Sequence, residues 1–175
     1  MNQTIKNLIE RRSIRAYKDE QIREEQLEEI LEAGKYAPSG LGRQPVKMVV
    51  IQDKDTINQL SRLNAKIMGV NSDPFYGAPT IIVVLADKTV RTYIEDGSLV
   101  MGNLMNAAYA VGVDSCWIHR AEEEFKTEEG KALLAKWGIE EKYQGIGHCI
   151  LGYHDGNYPQ PAARKENMVF RICSE

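Results

Sequence analysis

Apolar positions recur along the chain with two periods, and the switches between them mark out its elements. Ile5, Leu8 and Ile9 share one helical face and predict a short helix that runs into Arg11. Leu27, Ile30 and Leu31 repeat the spacing, and Gly34 and Pro38 close that second helix. Residues 46–52 (Val-Lys-Met-Val-Val-Ile-Gln) read as a strand. Ile57, Leu60, Leu63 and Ile67 then lie on one face of a helix that Asp53 or Asp55 can cap. After Pro79 a second strand, 80–86, is apolar almost throughout, the pattern of a strand covered on both faces. Residues 92–111 predict the central helix. It mixes Leu99, Val100, Leu104 and Tyr109 with Gly102, Ala107, Ala108 and Ala110, small residues that let another helix approach in the core or at a subunit interface. A third strand spans 113–118, a helix runs from Thr127 to the stop at Gly138, and a fourth strand spans 144–153. The tail from His154 is rich in Pro and Gly and ends in an extended 168–172. Helices interleaved with strands over short connections imply one mixed α/β or α+β domain over residues 1–175.

Composition narrows the partners. The 175 residues suffice for a real core, with 43% apolar and 27% charged residues, both ordinary for a globular domain. A net charge of −3 gives no general pull toward nucleic acid or an anionic membrane, so any phosphate affinity must be local. No apolar run approaches a membrane span, and the first residues lack a signal-peptide pattern. Three cysteines, Cys116, Cys149 and Cys173, with no C-x-x-C spacing, fit a reducing cytoplasm better than a zinc or disulfide framework.

Two clusters carry candidate chemistry. Arg11, Arg12 and Arg15 with Ser13 offer planar paired donors and a hydroxyl to a phosphate; equally, cations at a helix C-terminus complement its dipole. The Pro38–Pro45 loop holds Ser39, Gly40, Gly42 and Gln44, which bring backbone and side-chain donors close to a planar ring or make an ordinary helix-to-strand turn. Arg164 and Lys165 in the tail can reach back to a phosphate. Asp96 and Asn103, seven apart on the central helix, need polar partners and favour a structural role. His148, in an apolar strand, reads as a satisfied core residue, whereas Cys116–Arg120 ends a strand where α/β folds often build sites. The phosphate-loop, dinucleotide and nucleophile-elbow motifs are absent, and no acid–base pair stands out, so the chemistry is expected from a cofactor.

The order of motifs resembles the nitroreductase family of FMN-dependent oxidoreductases over nearly the whole chain. Arg11-Arg12-Ser13-Ile14-Arg15-Ala16-Tyr17 is similar to its R-R-S-x-R-x-[FY] opening, and Ala37-Pro38-Ser39 with Gln44-Pro45 to its A-P-S-x-x-N-x-Q-P loop. Ala78-Pro79 before the buried strand, Asp96-Gly97-Ser98 with Asn103-Leu104, Gly112–Trp117 and Gly147–Tyr153 continue the likeness. The resemblance implies an α+β, three-layer α-β-α sandwich with a mostly antiparallel sheet. It also implies a homodimer with FMN at the interface and the tail (154–175) packed on the partner. Arg11, Arg12, Ser13 and Arg15 would hold the phosphate and ribityl side, with Arg164 or Lys165 closing over it. Pro38, Ser39, Gly40 and Gln44 belong to the loop that covers the ring from the partner subunit. Trp117, Ile118 and His119 would lie along the flavin, and Asn64, or else Asn71, would contact it. The implied activity is ping-pong transfer of hydride from NADH or NADPH through the flavin to a nitroaromatic or quinone. Alternatives are a dehalogenase or enoyl-type reductase on the same scaffold, or a non-catalytic flavin-binding protein. Two departures stand out: Gly42 where the family usually has Asn, and Trp117-Ile118-His119 where several relatives have Pro-x-Glu-Gly.

Overall fold

Alternation along one central strand organises the molecule. The structure, a computed structural model, describes residues 1–173. Its sheet has the order β1-β2-β4-β3, from β1 (Val46–Ile51), β2 (Thr80–Asp87), β3 (Asp114–Ile118) and β4 (Tyr143–Gly152), and all three strand pairs are antiparallel. In β2, Ile81, Val83 and Leu85 face one core, shared with α3 (Lys54–Met68), α5 (Ala121–Lys126) and α6 (Glu128–Lys136). Ile82 and Val84 face the other, shared with α2 (Glu24–Lys35) and α4 (Tyr93–Ala110). Each fully buried aliphatic side chain contributes about 1.5–3 kcal/mol, so a strand buried on both faces ties the layers together. The result is the expected α+β, three-layer sandwich with an antiparallel sheet.

Local chemistry sets the element ends. Asp53, rather than Asp55, caps α3 by accepting from the Thr56 N–H at 2.9 Å, and Gly69 ends that helix at φ 75°. Thr127 caps α6. Asp96 accepts from the Gly40 N–H at 2.8 Å and the Thr92 hydroxyl at 2.9 Å, and Asn103 donates to the Ala33 carbonyl at 2.8 Å. These bonds give Asp96 and Asn103 the structural role expected of them. Gly34 lets α2 meet α4 closely: a Cβ there would stand 2.8 Å from the Leu104 side chain. The short helix α5 has no counterpart in the periodicity of the sequence, because six residues show fewer than two turns of pattern.

The N-terminal segment after α1 (Gln3–Glu10) is laced to the β3 edge and the end of β4. Ile14 N–H donates to the Ser115 carbonyl at 3.1 Å, Lys18 N–H to Tyr153 at 2.9 Å, and Asp155 N–H to Ala16 at 3.0 Å. Beyond this the described tail has no strand, residues 168–172 included, and a turn at Glu166–Asn167; Met168, Val169, Phe170 and Ile172 are exposed. Among the described residues no helix is long and apolar enough to cross a membrane.

Candidate functional site

The basic cluster sits against the outer strand of the sheet. Ser13 forms an isolated parallel bridge with Ser115 on β3, which brings residues 11–15 alongside Cys116. Burial pushes the Cys116 thiol up, and Arg15, Ser13 and Arg11 act against that rise, so all three groups converge on this point of the strand. Arg12 turns one Nη back onto the Ile9 and Arg11 carbonyls, at 2.7 Å each, and so closes the C-terminus of α1. Its backbone N–H donates to the Tyr158 hydroxyl at 2.9 Å. The Arg12 side chain thus serves the helix end in this structure. Arg11 and Arg12 are half-buried and Arg15 is exposed.

This edge carries donors with nothing to bind in the chain. Arg11 Nη1, Arg12 Nε, Ser115 Oγ and Trp117 Nε1 are all buried without a hydrogen-bond partner. Such groups cost about 1–3 kcal/mol each when left unsatisfied. Their grouping fits an anionic, oxygen-rich ligand such as the phosphate and polyol of FMN. Trp117 lies over Gly147, where any Cβ would overlap its indole nitrogen, and its ring is 5.7 Å from that of His119. The Ile118 side chain lies in the core, so that residue can meet a ligand only through its backbone. His119 is exposed.

The Pro38–Gln44 loop lies at the opposite side of the sheet, leading into β1. Three of its residues have left-handed backbone: Leu41 (φ 55°), Gly42 (φ 65°) and Gln44 (φ 47°). Gly42 is thus at a position that suits Gly or Asn, which explains how the usual Asn can be replaced without rebuilding the turn. Gly40 packs on Thr92, where a Cβ would collide with the hydroxyl. The Ser39 hydroxyl accepts from the Gln44 N–H at 3.1 Å. Pro38 and Gln44 are exposed, Ser39 and Gly40 half-buried, and Leu41 is 91% exposed. With β1 and β3 the outer strands, the loop and the basic cluster flank opposite edges, three strand spacings or roughly 14 Å apart.

Arg164 and Lys165 lie exposed in the tail, and the Arg164 guanidinium closes on the Ala162 carbonyl at 2.7 Å and 3.1 Å. Within one protomer neither is brought to the basic cluster by any hydrogen bond or ion pair among the described residues. Asn71 is exposed in the turn after α3. Asn64 is fully buried, and its amide is spent inside the chain. Nδ2 donates to the His119 carbonyl at 2.8 Å and to Glu124 Oε1, and Oδ1 accepts from Arg120 Nε at 2.9 Å. Glu124 is fully buried too, with its second oxygen 3.0 Å from Nε2 of the buried His148, close but off the line of a hydrogen bond. His148 lies in the core as expected, its ring centroid 5.1 Å from that of Phe75, but it is not the satisfied histidine expected: neither ring nitrogen has a hydrogen-bond partner.

Ser115 and Glu124, near this site, escape a reading of the sequence, and Arg120 enters it only as the last residue of the Cys116–Arg120 strand end. Arg120 has a faint signal. It follows Trp117-Ile118-His119 where the related motif ends in Gly, and its φ of 78° is the left-handed value that Gly favours, at a cost of about 1–2 kcal/mol for other residues. Glu124 has none, because nothing in Glu122-Glu123-Glu124 marks the third as the buried one. No group of three or more potential metal ligands occurs among the described residues.

Comparison with known proteins bears on the family and the fold. The model of the Nitroreductase family matches residues 8–153. A protein of Archaeoglobus fulgidus that carries the provisional name NADH dehydrogenase/NAD(P)H nitroreductase is 33% identical over 158 residues, covering 87% of this chain and 86% of its own length. Among solved structures, a nitroreductase with bound FMN from Bacteroides fragilis superposes with a TM-score of 0.91 at 25% identity, covering 98% of this chain and all of the other. Another with bound FMN, from Desulfitobacterium hafniense, gives a TM-score of 0.88 at 25% identity over 98% of this chain and 99% of that one.

Proposed function

The chain belongs to the nitroreductase family, and from that premise we propose that it is an FMN-dependent oxidoreductase that takes hydride from NADH or NADPH and passes the electrons to a small acceptor such as a nitroaromatic or quinone. The observation that carries this reading is the set of buried, unpartnered donors at the β3 edge. A chain that buries Arg11, Arg12, Ser115 and Trp117 donors without partners keeps them for a ligand. FMN, when bound, supplies the electron-accepting and electron-donating chemistry.

The protein's share is binding and electrostatics. Arg11, Arg12, Ser13 and Arg15 hold the phosphate and ribityl oxygens through charge-assisted hydrogen bonds. Trp117 and His119 present their rings, and Ile118 its backbone, alongside the flavin. No side chain is assigned as a catalytic acid or base, and water can supply the proton.

The ring-covering loop comes from a second copy of the chain. The loop and the basic cluster flank opposite sheet edges, which supports a second copy as the source of the loop over the ring. Exposed apolar side chains stand ready for the contact: Ile5, Leu8 and Ile9 on α1, Leu41 in the loop, and Met168, Val169, Phe170 and Ile172 in the tail. In the dimer, Pro38, Ser39, Gly40 and Gln44 of one copy cover the ring held by the other, and the tail packs on the partner with Arg164 or Lys165 over the phosphate. Free cysteines at 116, 149 and 173 suit a reducing compartment, and we place the enzyme in the cytoplasm.

The test is the visible spectrum of the purified protein. Absorbance at about 450 nm that bleaches on anaerobic NADPH or NADH and returns with a quinone is the expected result. A colourless protein that takes up no added FMN overturns the reading, and a yellow protein that neither donor bleaches supports a flavin-binding role without catalysis.

A further inference from the structure

We propose that Arg120 is a flavin-facing cation, and that Asn64 acts on the cofactor only by holding Arg120 in place. This deepens the functional reading above and rests on it. The resemblance leads one to expect an asparagine from the helix before β2 to touch the cofactor. Asn64 is fully buried, and its amide bonds to the His119 carbonyl, Glu124 and Arg120 commit both ends of the group. The carboxylate and the carbonyl together fix the orientation of the amide, since both accept and so both demand Nδ2. Oδ1 is thereby aimed at Arg120 Nε.

What Asn64 cannot offer, Arg120 can. Its Nε is tied down at 2.9 Å, while its Nη groups have no hydrogen-bond or ion-pair partner among the described residues. The buried Glu124 carboxylate stands behind Asn64, and the amide spacer leaves the guanidinium charge uncancelled by a direct ion pair. Arg120 lines a cleft of about 580 Å³ together with Trp117, His119, Gln144 and two carboxylates, Glu122 and Glu123, neither of which is ion-paired with it. Two of these, Trp117 and His119, are the residues read as lying along the flavin. The cation sits at φ 78°, immediately after them, at a position where a glycine would be the unstrained choice. A strained arginine with a fixed Nε and unspent Nη groups has the form of a group kept for a ligand. Reduced flavin carries more negative charge than oxidised flavin, so a fixed cation beside it binds the reduced form preferentially and raises the potential.

The variants are Arg120→Gly, which suits the observed backbone and deletes the charge, and Arg120→Lys, which keeps the charge without the guanidinium fork. The readouts are the FMN dissociation constant and the two-electron midpoint potential of the flavin-loaded protein. Arg120→Gly is expected to weaken reduced FMN about tenfold more than oxidised FMN, which lowers the midpoint potential by about 30 mV. Arg120→Lys should recover at least half of that shift. Asn64→Leu, which removes the anchor, should shift the potential in the same direction as Arg120→Gly, and adding it to Arg120→Gly should shift the potential no further. An unchanged potential in Arg120→Gly with FMN bound overturns this inference and leaves the functional reading intact. A wild-type chain that takes up no FMN overturns both.

Discussion

The two outer edges of the sheet are built in opposite ways. At the β3 edge the chain is pinned: residues 13–18 bridge to Ser115, Tyr153 and Asp155, and the donors that remain are buried and unspent. At the β1 edge the Pro38–Gln44 loop is held by its docking on Asp96 and Thr92, carries three left-handed residues, and leaves Leu41 in open solvent. On the proposed function, the first edge receives the ligand and the second is presented to a partner. A receiving edge must be rigid before its ligand arrives, because ordering charged side chains at the moment of binding would cost part of the affinity. A presenting edge must be shaped and exposed, because its contacts belong to another molecule.

The largest expected effect breaks the receiving edge. Replacing Arg11 and Arg15 together by Ala should weaken FMN by about a hundredfold or more, since each charge-assisted hydrogen bond is worth about 1.5–3 kcal/mol. Far-ultraviolet circular dichroism should be unchanged. Equal affinity in an FMN titration would move the phosphate site elsewhere.

A medium effect probes how dry that edge is. Burial pushes the Cys149 and Cys116 thiols and the Tyr17 hydroxyl up. The folded chain keeps these protons at pH values where the unfolded chain has lost them, so the stabilisation is full below the ordinary thiol value and declines as pH rises through and beyond it. Urea unfolding should lose roughly 2 kcal/mol between pH 7 and pH 10 from Cys149 alone. Cys149→Ala should flatten that slope. A slope that Cys149→Ala leaves unaltered would mean the thiol is not held in a dry environment.

The smallest effect concerns the presenting edge. Leu41→Gly relieves a left-handed backbone, offset by the extra freedom glycine has when unfolded, and should alter protomer stability by no more than about 1 kcal/mol. The same change removes an exposed apolar side chain, and self-association measured by sedimentation should weaken severalfold. Unaltered association would put the loop outside the subunit contact.

Much of the fold was legible because burial writes itself into periodicity. The apolar run of β2, the helical spacing of Leu27, Ile30 and Leu31, and the small residues of α4 each follow from what the element must pack against. The basic cluster and the Pro38 loop were legible as chemistry, though not as opposite edges, because strand order is a long-range property that no local pattern records. The Asn64 network was hidden for a related reason. Asn64 looks like a ligand residue by its type and place, yet three partners distant in the chain, His119, Arg120 and Glu124, consume its amide. Glu124 shows the limit most plainly: two identical neighbours in sequence, Glu122 and Glu123, lie at the surface side of the same short helix.

The placement of donors and loop on opposite flanks has a genetic corollary. In the proposed dimer, each working centre would be assembled from halves encoded once but delivered by two molecules. Co-expressing a chain damaged only at Arg11 and Arg15 with one damaged only in the Pro38 loop therefore yields mixed pairs with one doubly broken centre and one fully wild-type. Two inactive alleles would restore activity together, with half a complement of yellow colour per mixed pair.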